Sequence, residues 1–410
     1  MRAMIQTSGV QFDVGGVLLP RPFKVRRLGH FGYYMNDLDA AAAFYTQLLG
    51  FRITDAPTMQ QLLPPHLQHI AAGVLDPRMF FTSNGSDHHV LLFMHSSLAA
   101  TSPFPTPPQM TTNQLTWQVG TLEEVVDAYH FLKKAGVPIV RAGRDMPGAN
   151  WNVYFQDPDG FTVELYYGIE QIGWSRHSRP MQMYDRGFQD VPPLPQISEY
   201  TEIAEALERG VEITAGYRPQ PEESAHDVGG VLLPRPFKVT KLGPVGLFVT
   251  DLSRSLDFYT RLLGFEVTET VEVEGHEAVF LRHGGDHHSL ALYPRELRSV
   301  LGLSEHTVVA SLGMEVGTYR QLRDAVSYLS AHGSKLIDLP ASFSTGIDYA
   351  AHLKDPDGHL VQLYYYMEQI GWDGKPRPAH LRRQAESSWP ATVAALSDTY
   401  VDQVFQGPLG

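Results

Sequence analysis

Short runs of β-branched and aromatic residues, bounded by turn formers, alternate along the chain with longer stretches that carry helix start and stop signals. The stretch NDLDAAAAFYTQLLGF (36–51) predicts a helix beginning at Asp37, whose carboxylate can cap free backbone donors. It should stop at Gly50, which tolerates a left-handed turn. Thr121 with Glu124 three residues on has capping-box spacing and predicts a second helix ending near Gly136. The same two signals recur from Asp251 to Gly264, and from Thr318 with Gln321 to Gly333. With the strand-like runs around each helix, the pattern predicts an α+β fold of four tandem βαβββ modules.

The recurrence is a duplication. DVGGVLLPRPFKV occurs at 13–25 and again at 227–239. TDLSRSLDFYTRLLGF (250–265) echoes the first helix, GDHHSLAL (285–292) echoes SDHHVLLF (86–93), and DPDGHLVQLYY (355–365) echoes DPDGFTVELYY (157–167). The repeat spacing shrinks along the chain, which places an extra insert in the first half near 57–80. The expected organisation is an arm (1–25), a first module pair (26–175), a linker with one helical segment near 198–209 and the repeated arm (176–238), a second module pair (239–372), and a tail (373–410) with a helical run near 390–403.

Composition narrows the chemistry. There is no cysteine, so disulfides, thiolate metal sites and cysteine nucleophiles are excluded, while 18 histidines leave imidazole and oxygen as metal ligands. A net charge of -13 without a basic stripe argues against a nucleic-acid partner. The start lacks the apolar core of a secretory signal, and no apolar run approaches a membrane span, so a cytoplasmic protein acting on a small molecule is expected.

The order strand, DLxxxxxFYxxLLGF, strands, DPDG, found in both halves, resembles the vicinal oxygen chelate superfamily, which includes glyoxalase I, bleomycin-resistance proteins and type I extradiol dioxygenases. Four modules in two pairs, with NQLTWQVGTLEEVVDAYHFL (113–132) and VYFQDPDGFTVE (153–164), look most like the two-domain extradiol ring-cleaving enzymes. The resemblance covers about four fifths of the chain. It implies that each pair of modules curls into a half-open β-barrel with flanking helices. One of them would hold a divalent metal, usually iron(II), on two histidines and a glutamate.

Residue by residue, His30 matches the first metal histidine, against the plainer reading of a core histidine at a strand start. Gln114 stands where the family has its second histidine. Either its amide oxygen is a weaker ligand or it only hydrogen-bonds. Glu164 matches the third ligand, and a carboxylate in the otherwise apolar TVELYY is costly unless paired or metal-bound. The second-half counterparts are Pro244, Ser311 and Gln362, so the resemblance implies a metal site in the first half alone. His89, second of the pair His88-His89, matches the family's acid–base histidine, yet His287-His288 repeat the pair where no metal fits, which favours a structural role. Tyr154 matches the tyrosine that holds a substrate hydroxyl; a cross-strand aromatic contact is the alternative. A histidine the family carries just before it is missing, and Asp145, Asn150 or Asn152 stand nearby. Tyr166, Tyr167 and Trp174 are either walls of an aromatic pocket or plain core.

The implied activity is a metal-dependent extradiol-type dioxygenase that opens a catechol-like aromatic with O2, using Fe(II), with Mn(II) or Zn(II) as alternatives, in a homo-oligomer. The competing readings are another metal-dependent enzyme of the superfamily (isomerase, epimerase or lyase), or a non-catalytic small-molecule binding protein.

Overall fold

The computed structural model describes residues 9–63, 65–101, 110–144, 147–172, 177–183, 190–303, 306–386 and 388–394. Asp145, Trp174 and most of the expected C-terminal helical run lie outside them. The described part of that run, 390–394, is not helical. The linker helix forms, as Glu199–Glu208 capped by Ser198.

Two small hairpins carry the repeated arm. They are β1 (Phe12–Val14) with β2 (Val17–Leu19), and β11 (His226–Val228) with β12 (Val231–Leu233). The first module pair contributes β3 (Arg27–Met35), β4 (Arg52–Asp55), β5 (Met79–Ser83), β6 (Leu91–His95), β7 (Thr112–Gln118), β8 (Ile139–Arg144), β9 (Trp151–Gln156) and β10 (Thr162–Tyr167). They form one open, mixed sheet in the order β4-β5-β6-β3-β7-β10-β9-β8. The second pair supplies β13 (Val239–Val249), β14 (Glu266–Val273), β15 (His276–Arg282), β16 (Leu290–Pro294), β17 (Val309–Val316), β18 (Leu336–Ile337), β19 (Ala350–Lys354) and β20 (Leu360–Tyr364), in the same order. Each pair is therefore two βαβββ modules joined by their antiparallel first strands, and the fourfold module reading holds.

Alternation along the central strands decides which face holds the core. Val163 and Leu165 of β10 join Leu115 and Trp117 of β7 under the helix Leu122–Lys134, which buries Val125, Ala128 and Leu132. Asp37 caps the first helix as its sequence suggests, accepting from Ala40 N at 2.9 Å. That helix widens into a π-helical turn over Phe44–Leu48 before Gly50, where φ is +86°. Thr121 also caps its helix, but Glu124 does not close a capping box. Its carboxylate instead takes the backbone N–H of Lys24 at 2.8 Å, and Gln321 does the same for Lys238 at 3.0 Å. The N3 residues thus pin the two arms to their own helices. In the insert, Met59–Leu62 is helical and does close a capping box, on Thr58 and Gln61. Among the described residues no helix is long and apolar enough to cross a membrane.

The halves interlock reciprocally. Tyr45 donates to Asp355 at 3.0 Å and Tyr259 to Asp157 at 2.9 Å, so each first-module helix is tied to the DPDG turn of the other half. Asn36 binds Asp357, and Thr250 binds Asp159. The arms cross as well: Arg235 of the second arm reaches Gln47 O at 2.6 Å, and Arg21 of the first reaches Gly264 O at 3.3 Å.

One of these ties has a pH signature. Burial pushes the Asp157 carboxyl up to about 7, against which the hydrogen bond from Tyr259 acts only in part. The unfolded chain releases this proton near pH 4. The contribution of the neutral acid is therefore full below about pH 4 and is lost as the pH rises through about 7. Asp157→Asn, which cannot ionise, should gain on the wild type across that window by on the order of 1 kcal/mol per pH unit. Urea unfolding of both proteins at pH 5 and pH 8 measures it; parallel stability curves would contradict it.

Candidate metal centre

A single rung of the first sheet assembles the site. Antiparallel pairing sets His30 on β3 opposite Thr116 on β7, and parallel pairing sets Thr116 beside Glu164 on β10. Glu164 in turn faces Tyr154 on β9. Residues in register share a face, and Gln114, two before Thr116, shares it too. Positions far apart in sequence thus meet because the order β3-β7-β10-β9 makes their strands neighbours.

Glu164 is wholly buried, as is His30. Its Oε2 lies 2.9 Å from His30 Nε2 and accepts from Thr116 Oγ1 at 2.8 Å, while Asn150 Nδ2 donates to Oε1 at 2.7 Å. Of the described residues near the missing histidine, Asn150 is the one that binds the Glu164 carboxylate, whereas Asn152 turns its amide to the Asn150 carbonyl. Gln114 Oε1 accepts from Tyr154 O–H at 3.3 Å, and the Tyr154 ring lies under the Arg141 guanidinium, 4.1 Å away.

His89 packs its ring 4.4 Å from that of His30 and shares a 3.0 Å Nδ1···Nδ1 contact with His88. Burial above all, with His30 and His88 adding, holds the His89 imidazole well below its ordinary range, so it is neutral at physiological pH. His88 Nε2 lies 3.5 Å from Asp55 Oδ2. His287 and His288 repeat this geometry with Glu269 in the place of Asp55. The first histidine of each pair thus has a structural partner in both halves; what sets His89 apart is its further contact with His30, the histidine that meets Glu164. Tyr166 shares the site face, its ring 5.0 Å from His30 and its hydroxyl on Gln118 Oε1 at 3.1 Å. Tyr167 does not: it points the other way and packs on the core beneath the helix, because side chains alternate along β10.

The donor set suits a divalent ion. The 2.9 Å between His30 Nε2 and Glu164 Oε2 is also the edge of a coordination octahedron with bonds of about 2.1 Å. His30 Nδ1 is buried with no partner in the described structure, so the ring is held through Nε2 alone. Among the described residues no group of three histidine and acidic side chains is placed to hold a metal, so His30 and Glu164 have no third partner of those types here, and Gln114 lies on the same face with its Oε1 on Tyr154. In the second half Gln362 donates to Ser344 Oγ at 2.6 Å and meets His352 Nε2 at 3.0 Å, a neutral cluster with no carboxylate.

Sequence reasoning passed over Thr116 and Asp55. Thr116 was within reach, since a residue two positions from Gln114 must share its face. Asp55 follows only from the β4-β5-β6 order, which no local signal carries.

A family model described as Glyoxalase/Bleomycin resistance protein/Dioxygenase superfamily matches residues 27–165 and 241–363. The biphenyl-2,3-diol 1,2-dioxygenase of Paraburkholderia xenovorans is 27% identical over 167 residues, 40% of this chain and 49% of that protein. The 3-methylcatechol 2,3-dioxygenase of Pseudomonas putida is 24% identical over 159 residues, 39% of this chain and 47% of that protein. The chain thus spans about half the length of the curated relatives it matches. Among solved structures, the 2,3-dioxygenase LapB from Pseudomonas sp. KL28 superposes with a TM-score of 0.55 at 14% identity, over 86% of this chain and 96% of that one. BphC, a halotolerant catechol dioxygenase, does so with a TM-score of 0.52 at 16% identity, over 86% and 91%. At such identities the likeness is one of fold. With the family model matched in both halves, the chain belongs to the Glyoxalase/Bleomycin resistance protein/Dioxygenase superfamily.

Proposed function

We propose that the first half binds a divalent metal, Fe(II) before Mn(II) or Zn(II), on His30, Gln114 and Glu164, and opens a catechol-like aromatic ring with O2. The observation that carries this reading is the Glu164 carboxylate, wholly buried and 2.9 Å from His30 on one rung, with Gln114 two residues along β7 on the same face. Burying such a group without a cation is costly. The dioxygenases among its relatives, which act on aromatic diols, support the reaction class.

An ion held there supplies a Lewis acid with open positions for two vicinal oxygens and for O2. The protein's own part is positional. Thr116 and Asn150 fix the two carboxylate oxygens of Glu164, so its orientation is set before any ion arrives. His89, neutral and against His30, is placed to accept the proton of a substrate hydroxyl and return it later. Tyr154, whose hydroxyl already donates to Gln114, is placed to hold a substrate oxygen. Burial of the whole rung keeps bulk water away from the reacting atoms.

One observation favours a second reading. Gln114 makes the set richer in oxygen than two histidines and a carboxylate, which suits an isomerase, epimerase or lyase of the superfamily. Oxygen uptake by the anaerobically Fe(II)-loaded chain, measured against a panel of catechols, separates the two. The dioxygenase reading expects uptake matched mole for mole by ring-opened product. A metal-loaded protein that consumes no oxygen with any catechol would refute it.

A further inference from the structure

The second half has lost the donor set, and a hollow lies where its first strand meets the arm and first strand of the first half. A cavity of about 460 Å³ opens where Gly243 and Pro244 of β13 face Leu28 and Gly29 of β3. Pro244, His288 and Tyr364 line it, and these are the repeat counterparts of His30, His89 and Tyr166. The two halves differ in how tightly this place is packed. A Cβ on Gly29 would lie 2.2 Å from Tyr166, whereas one on its counterpart Gly243 would meet nothing nearer than Leu28 at 3.4 Å. Tyr364 instead turns its hydroxyl to the Gly243 carbonyl at 2.8 Å.

The electrostatics have also changed. In a chain of net charge -13, this cavity is lined by Lys24, Arg26, Arg27 and Lys241, against Asp286 and Glu315. Lys241 answers both carboxylates, at 2.5 Å and 4.0 Å. Arg27 is engaged by Asp87 at 2.5 Å and Gln118 at 2.7 Å. Arg26 meets Glu124 only at 3.5 Å, and its Nε is buried without a hydrogen-bond partner. Lys24 is fixed through its backbone on Glu124, and its ammonium has no partner among the described residues. His283 Nδ1, in the same lining, is buried without a partner too. Burial holds that imidazole down to about 4, with Lys241 and Lys24 pushing the same way, so it adds no charge to the lining.

Val25, Leu28, Leu242 and Pro244 give the hollow an apolar wall. Its volume lies in the range of small-molecule pockets, about 300–1,000 Å³. Pro244 has no donor to offer a metal ion, and of the lining cations only the Lys24 ammonium has no carboxylate beside it among the described residues. We propose that this hollow between the halves is a binding site for a small organic anion, a carboxylate on an apolar body, recognised by Lys24 and Arg26. An anion there would pair the Lys24 ammonium and supplement the long 3.5 Å contact of Arg26 with Glu124. The site needs no metal and stands independently of the function proposed for the first half.

Benzoate titrated calorimetrically into the full, EDTA-treated chain tests this, with inorganic phosphate as a second titrant. Benzoate should bind one site per chain, more tightly than phosphate. Lys24→Glu should weaken it by about tenfold or more, as loss of one charge-assisted hydrogen bond implies. Arg26→Gln should weaken it in the same direction, and thermal unfolding verifies that each variant is folded. Should Lys24→Glu fail to fold, Lys24→Gln takes its place. No benzoate binding at millimolar concentrations would overturn the proposal, and so would phosphate binding as tightly as benzoate. Unchanged affinity in the folded Lys24 variant would do so as well. Loss of binding in Glu164→Gln with retention in the Lys24 variant would move the anion to the Glu164 rung and equally overturn it.

Discussion

Glu164→Gln is expected to strip the chain of bound metal while leaving the metal-free fold as stable as the wild type. The amide keeps the volume and can still accept from Thr116, so no cavity opens on β10. What is lost is the one negative charge on the rung. Amide oxygen is a much poorer ligand than carboxylate, and the other two donors are already neutral. Affinity should therefore fall by more than the 10- to 100-fold typical of changes in residues that only orient a ligand. The second half is a natural precedent: Gln362 occupies the same strand position, fully accommodated by Ser344 and His352. Thermal unfolding with and without Fe(II) measures the effect, since a ligand of the native state raises the midpoint. The wild type should shift with metal and the variant should not. An equal shift in both would remove Glu164 from the ligand set.

Replacing His89 by glutamine should have the opposite signature, with metal retained and turnover lost. His89 touches the His30 ring but makes its hydrogen bond to His88, so the carboxylate cluster survives its removal. An imidazole that is neutral has a ring nitrogen free to take a proton, and an amide has no comparable base. A general base of this kind contributes about 10²- to 10⁴-fold, so kcat should drop within that range. Anaerobic substrate titration and steady-state oxygen uptake together distinguish the cases. Substrate affinity lost with kcat unchanged would make His89 a packing residue, as the repeated histidine pair of the second half would suggest.

Much of this architecture is legible in the chain because duplication prints each signal twice. Asp37 and Asp251, Thr121 and Thr318 cap the helices that their spacing announces. His30 and Glu164 come together as the resemblance implies. What sequence could not supply was the use of side chains whose partners lie across the fold. Glu124 looks like half of a capping box, but the arm amide of Lys24 offers a better-placed donor. Tyr45 and Tyr259 look like ordinary core tyrosines of an FY pair, yet each is spent on the other half's DPDG turn. Asn150 could be named only as one of three substitutes, because the choice depends on which amide reaches Glu164 once β9 and β10 are paired. Tyr166 and Tyr167 read alike in the sequence, as pocket wall or plain core, and strand alternation separates them.

Anomalous diffraction at the iron edge, from crystals of the anaerobically Fe(II)-loaded chain, bears most directly on the central claim. A single peak is predicted in the first half, about 2.1 Å from His30 Nε2 and from a Glu164 oxygen, with Gln114 Oε1 turned from Tyr154 towards it. Iron bound elsewhere, or no peak and His30 still resting against Glu164 as a plain hydrogen-bonded pair, would contradict it.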